Sequence, residues 1–170
     1  MSTNRALQVG LPEDIAQLVE MRPVEECALD AMRQAITSTP IFTLIPADVQ
    51  DKAFYLVRRE PGEGYWNGET RFIDEGGVVI NAYAYGSDGD EKAALMAEAA
   101  RVVMRNAWLN NHHTPGVGWI SRLWMPEEPV RKSDFANSAG PVQSADLPAG
   151  FFRYELHLQM MVRRENRNKE

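Results

Sequence analysis

The sequence predicts an α/β (α+β) sandwich, in which a mixed, mostly antiparallel sheet of about five strands is covered by two helices on one face. Residues 78–85 alternate with the period of two that is typical of a β-strand, and residues 91–107 repeat apolar side chains at helical spacing. A helix and two strands precede this unit, and a strand, a long extended loop and a last strand follow it. This order of elements favours a single two-layer domain.

The first half of the chain is predicted to contribute one long helix and two short strands. Residues 24–36 carry an apolar stripe, and their acidic residues come first, where the helix dipole favours them. Residues 41–45 and 54–59 are rich in β-favouring side chains, and in the second run Phe54 and Arg58 share one face. Both strands therefore come before the central unit.

A turn-rich loop at residues 61–68 separates these strands from the central unit. It contains Tyr65 and Trp66, and aromatic side chains are enriched at protein interfaces. Two placements stay open for these rings: contact with another molecule, or folding back over the sheet.

The long helix of the central unit is expected to begin at Asp88. Asp88 is followed three residues later by Glu91, a spacing that fits a capping box. In that motif the first side chain accepts a hydrogen bond from a backbone N–H group of the first turn. We therefore expect the Asp88 carboxylate to cap the helix.

After this helix, residues 117–125 alternate as a strand, with Trp119 and Leu123 on one face and Trp124 on the other. Residues 126–150 then lose all periodicity and are rich in Pro, Gly, Ser and Asp. A loop of this length is usually functional, disordered or ordered by a partner.

The last strand has the clearest pattern in the sequence. Along residues 152–163 the apolar side chains alternate with a polar set that includes Arg153, Glu155 and His157. One face is expected to pack on the core, and the other to meet water or a neighbouring subunit.

Composition is that of an ordinary globular protein, with 44% hydrophobic and 25% charged residues among 170. A formal net charge of −6 disfavours nucleic-acid binding, which needs clustered Lys and Arg against phosphates. No membrane span or signal peptide is recognisable, so we expect synthesis in the cytoplasm and no membrane contact. We divide the chain into an N-terminal arm with a short helix (1–21), one domain (22–164) and a polar C-terminal tail (165–170).

No arrangement of residues for catalysis is recognisable, and we expect no enzyme, no cofactor and no metal site. His112 and His113 are adjacent and point apart, and His157 has only Glu155 nearby, which makes a poor zinc site. All three histidines are expected at the surface. Cys27 is the only cysteine, and its place in the apolar stripe predicts a core residue rather than a nucleophile.

Several short segments, taken in order, resemble one known family. Residues 22–29, 39–48 and 54–59 are similar to its opening helix, a short strand ending in Pro and a strand ending in V-R-R. Residues 78–107 resemble its next strand and an Ala- and Glu-rich helix, and residues 140–156 its closing Gly-Pro, Leu-Pro and Arg-Tyr pattern. The family is that of the tail terminator proteins of long-tailed (siphovirus-type) bacteriophages, in particular the actinobacteriophages.

The resemblance implies a structural virion protein. Family members form a hexameric ring on the head-proximal end of the tail tube, end its polymerisation and join it to the head-side connector. The expected partners are further copies of this chain, the tail tube protein and connector or adaptor proteins in the neck of the virion, with DNA passing through the ring lumen. The alternatives are another neck component, such as a head-completion or connector-adaptor protein, and a small cytoplasmic enzyme using His112 or His157.

The interface residues are expected on the two loops and on the polar face of the last strand. Loops of this kind suit contacts with other subunits, whereas the alternative is that their aromatic side chains close the edges of the core. The candidates are Tyr65, Trp66, Trp124, Arg131, Lys132, Phe135, Arg153, Glu155 and His157.

Overall fold

The computed structural model describes residues 10, 12–16, 22–45, 52–60, 72–132 and 150–165. The helices are α1 (Glu13–Ala16), α2 (Pro23–Ala35) and α3 (Gly89–Leu109). The strands are β1 (Ile41–Phe42), β2 (Phe54–Arg59), β3 (Ile73–Tyr85), β4 (His113–Thr114), β5 (Gly118–Trp124), β6 (Val130–Lys132) and β7 (Phe151–Arg164). None of the described helices is long and apolar enough to span a membrane. Tyr65, Trp66 and Phe135 lie outside the described residues.

The described strands form one seven-stranded sheet in the order β1-β2-β3-β7-β5-β4, and β6 also pairs with β7. Every pair is antiparallel except β1 and β2, which run parallel. The predicted fold class is confirmed, but the sheet has more strands than expected. β4 and β6 span two and three residues, too few for a periodic pattern, and β6 lies inside the segment predicted to be a loop.

Helices α2 and α3 pack on the same face of the sheet and form the main core with it. The stripe of α2 buries Val24, Cys27 and Met32, as predicted, and α3 contributes small alanines and Met104. Small residues let α3 lie close to the sheet. The strand side of this core includes four fully buried residues of β7: Leu156, Leu158, Met160 and Val162.

The buried thiol of Cys27 and the buried hydroxyl of Tyr55 should make the protein less stable at high pH. Burial raises the pKa of the Cys27 thiol from 9.0 to about 11, and that of the Tyr55 hydroxyl from 10.0 to about 12. Both groups lose their protons at a lower pH in the unfolded chain than in the folded chain. Their contribution to the free energy of unfolding is therefore complete below pH 9 and is lost as pH rises toward 11 for Cys27 and 12 for Tyr55. From pH 8 to pH 11 we expect the free energy of unfolding, measured with urea, to fall by about 2 kcal/mol because of Cys27 alone.

The Cys27→Ala variant is the control for this pH prediction. It removes the thiol titration and keeps that of Tyr55, so its stability should fall less steeply above pH 9. Equal slopes for the variant and the original chain would contradict the assignment to Cys27.

Strands β3 and β7 form the central pair of the sheet. They pair without a break from Ile73 opposite Arg163 to Tyr85 opposite Phe151. An unbroken register keeps alternate residues on constant faces. The alternation predicted for the last strand is therefore confirmed, with its apolar set toward the helices.

A β-bulge in β5 shows that the faces predicted for that strand were wrong. The pairing with β7 shifts between Ile120 and Arg122, so Ser121 is an extra residue. A bulge of this kind reverses the alternation beyond it. As a result Trp119 and Trp124, predicted on opposite faces, lie on the same face of the sheet.

The capping box predicted at the start of α3 does not form, and α2 is capped by a residue of the sheet. The Asp88 side chain makes no capping hydrogen bond to α3 and pairs with Lys92 instead. For α2 the cap comes from the sheet, because the buried Asp74 carboxylate accepts from the backbone N–H of Val24 at 3.4 Å. Asp74 also pairs with Arg22 at 2.7 Å, so one carboxylate joins the start of α2 to β3.

Candidate interaction surface on the helix-free face

The candidate functional surface is the face of the sheet opposite α2 and α3, which we call the helix-free face. Residues paired directly across strands share a face, so the register of β2, β3, β5 and β7 decides which side chains lie on it. From one end to the other, these side chains form an aromatic cluster, a charged cluster and a patch with two tryptophans.

The aromatic cluster is a second, smaller core. The rings of Phe54 and Tyr83 stack with centroids 4.6 Å apart, and Phe42 and Phe151 meet Phe54 edge-on at 5.9 and 6.2 Å. Phe54 and Tyr83 are buried together with Leu56. This end of the helix-free face is therefore filled by the chain itself.

The charged cluster consists of Glu60, Lys132, Arg153, Glu155 and His157. Its centre is the Glu155 carboxylate, which lies 3.5 Å from Nη2 of Arg153, 3.6 Å from Nζ of Lys132 and 3.4 Å from Nε2 of His157. The other ring nitrogen of His157, Nδ1, is 2.9 Å from Oε1 of Glu60. Both ring nitrogens of His157 thus face carboxylates.

A glycine in β3 allows Glu60 to reach this cluster. A Cβ atom on Gly77 would come within 2.9 Å of Oε2 of Glu60, so a side chain there would push the Glu60 carboxylate out of this position. The side chains of Arg153 and Glu155 are each only 16% exposed. Charged groups at this depth are held by one another, so the cluster is a fixed pattern of charge on the sheet.

The tryptophan patch lies at the far end. Its members on the helix-free face are Ile73, Trp119, Arg122, Trp124 and Arg163, and Phe72, just before β3, lines the groove beside them. The His113 ring stacks on Trp119 with centroids 4.5 Å apart, and the Arg122 guanidinium lies 5.7 Å from the centre of the Trp124 ring. These contacts hold both indoles in place, yet Phe72 remains 62% exposed and Trp124 42%. The patch borders a groove of about 1070 Å³. Rigid, exposed aromatic side chains next to arginines are typical of binding hot spots.

The structure brings most of the described candidate residues to this face. Lys132, Arg153, Glu155 and His157 lie in the charged cluster, and Trp124 lies in the tryptophan patch.

Arg131 is the exception among the described candidates. It lies on the other face of the sheet, over the Phe152 ring at 5.4 Å and 3.1 Å from Asp90 of α3. Its neighbours make it a link between β6 and the helix layer.

Glu60 is a member of the charged cluster that the sequence did not indicate. It follows β2 directly, and nothing in its local pattern links it to His157, which is 97 residues away along the chain. The available signal was the polar face of β7, which predicts that a partner charge exists but not where it comes from.

His113 is exposed, as predicted, whereas His112 and His157 are partly buried. Nε2 of His112 lies 2.9 Å from Oδ2 of Asp30, which also accepts from Thr114, so His112 ties α2 to the turn before β4. Its side chain is only 14% exposed. Within the described ranges, no group of three or more His, Cys, Asp or Glu residues has a geometry that could hold a metal ion.

No protein-family model matches this sequence, and no curated protein matches it. Inferences about function therefore depend on the surface described above and on the resemblance of the sequence segments.

Proposed function

We propose that this chain is a structural protein whose copies assemble side by side through the helix-free face and its surroundings. The observation that carries this proposal is the tryptophan patch next to the charged cluster, both on one face of the sheet around the central pair β3 and β7. Exposed aromatic side chains beside a fixed charge pattern supply affinity and register at a protein interface.

Within this class we propose the tail terminator of a long-tailed phage, which caps the head-proximal end of the tail tube as a ring. The order of helices and strands and the segments similar to that family support this choice. A cap needs one ring surface complementary to the end of the tube, while its other surface must not accept a further tube ring. Contacts between neighbouring subunits in such a ring are head-to-tail and close by rotation.

A nonsense codon at Trp124 in a phage that encodes this chain tests the proposed function. Truncation there removes β6 and β7, and with them the central strand pair. Electron microscopy of the lysate should then show overlong tails without heads, because tube growth has lost its stop. The matched control is the same phage in a suppressor host that inserts Trp, which should produce normal virions.

Two other outcomes would contradict the terminator proposal. Tails of normal length beside filled, unattached heads would place the protein on the connector side of the neck. Normal virions would exclude both neck functions and would favour the enzyme alternative, which replacement of His112 and His157 then tests.

A further inference from the structure

Helix α3 carries a stripe of four apolar residues and one polar residue, Asn106, on the side that faces away from the sheet. We call Leu95, Ala99, Val102, Asn106 and Leu109 the leucine stripe. Their spacing alternates between four and three residues, which aligns them along one side of a helix, as in a coiled-coil seam. Leu95 is 64% exposed and Leu109 60%, whereas the residues that α3 buries lie on its opposite side.

The described residues therefore include two exposed apolar surfaces, on opposite sides of the two layers. The leucine stripe lies outside the helix layer, and the tryptophan patch lies on the helix-free face of the sheet. Leu95 and Leu109, at the two ends of the stripe, are more than half exposed, so these two side chains contribute little to the fold of the monomer. Contiguous apolar surfaces of this kind mark interaction sites.

The charges around the two surfaces are complementary. Glu91, Lys92, Glu98 and Arg105 border the leucine stripe, with Lys92 paired to Asp88. Glu127 and Glu128 line the adjoining groove of about 600 Å³ together with Arg101. Arg101 is already paired with Glu98, so the remaining charge of this groove is negative.

The tryptophan patch and its groove carry a small excess of positive charge. Arg122 and Arg163 are exposed, and Arg164 also lines the groove. The acidic residues there are Glu75, opposite Met161 on the same face, and Glu165, which lines the groove and lies 3.6 Å from Nε2 of His113. Surfaces of opposite charge steer association and fix the register of a contact.

We infer that the tryptophan patch of one copy binds the leucine stripe of the next copy of this chain. Two different, complementary surfaces on opposite sides of one protomer make a heterologous, head-to-tail contact, which gives a ring where the rotation closes. The contact itself rests on the described surfaces; only its closure into a ring rests on the proposed function. Single-stranded nucleic acid is disfavoured as the occupant, because the chain has a formal net charge of −6 and nucleic-acid binding needs clustered basic side chains against the phosphates.

Two variants with complementary defects test this contact. The patch variant is Phe72→Glu/Trp124→Glu, and the stripe variant is Leu95→Lys/Leu109→Lys; all four side chains are exposed, so melting temperatures should stay unchanged. In native mass spectrometry and light scattering the original chain should form multimers. Each variant alone should be monomeric, with self-association weakened roughly 100-fold or more.

An equimolar mixture of the two variants is the decisive sample. One intact stripe and one intact patch then remain per pair, so the mixture should form a one-to-one dimer and no larger species. Ile15→Glu, which replaces another exposed apolar residue, is the control and should assemble like the original chain.

Several results would overturn the inference: a monomeric original chain, assembly by either variant alone, or a mixture without dimers. Binding of a fluorescent oligothymidine by a monomeric original chain, abolished in the patch variant, would assign the patch to nucleic acid instead. The phenotype of the Trp124 nonsense phage decides the proposed function separately. A terminator phenotype with a failed mixing experiment would leave the function in place and move the subunit contact elsewhere.

Discussion

Replacing Gly118 with alanine should lower the free energy of unfolding by about 4 kcal/mol, one of the largest effects expected from a single methyl group. Gly118 begins β5 at φ +150°, a backbone conformation that residues with a side chain rarely adopt. An added Cβ would also meet the carbonyl group of Arg163 in β7, at 2.9 Å from its carbon and closer still to its oxygen. Because both obstacles are backbone atoms, relief requires β5 and β7 to separate.

Urea unfolding measures this loss, and Gly116→Ala is the matched control. Gly116 also has a positive φ, +75°, but an added Cβ there has no heavy atom within 4 Å. Its replacement should cost only about 1 kcal/mol for the left-handed backbone. Similar small losses in both variants would mean that β5 does not approach β7 this closely at Gly118.

The second large effect is expected for Phe54→Ala, which should cost about 4 kcal/mol. Phe54 stacks on Tyr83 and meets two further rings edge-on, so it holds the aromatic cluster together. Removing the Phe54 ring leaves a cavity between β2 and the start of β7, and the neighbouring aromatic rings are too rigid to fill it well. Urea unfolding again provides the measurement.

Phe72→Ala is the control for Phe54, because the two side chains are chemically the same and differ in burial. Phe72 is 62% exposed, so its loss should change the free energy of unfolding by less than about 0.5 kcal/mol. It belongs to the tryptophan patch, so its loss should weaken self-association instead. A stable Phe54→Ala variant would show that the aromatic cluster contributes little to folding.

Elements with a long repeating pattern were predictable from the sequence. Strand β7 and helix α3 are such elements, and the buried stripe of α2 with Cys27 was predicted on the same basis. The polar set Arg153, Glu155 and His157 was also correctly placed on one face, because residues two apart in a strand share a face. These properties depend only on neighbours along the chain.

Other features depend on contacts between distant segments and were not predictable from the sequence. The bulge at Ser121 places Trp119 and Trp124 on one face, although simple alternation separates them. Asp74 caps α2, because the sheet brings it to the start of that helix, whereas Asp88 does not cap α3. Neither feature leaves a local pattern.

The fold class, the main helices and strands, and the polar side of the last strand follow from periodicity, which is a local property of the chain. The tertiary structure, in contrast, sets which charges meet on the helix-free face. Glu60 and Lys132 reach Glu155 and His157 through the register of a sheet that joins segments far apart in sequence. It also decided that the leucine stripe stays exposed, since α3 has two apolar sides and the sheet covers one of them.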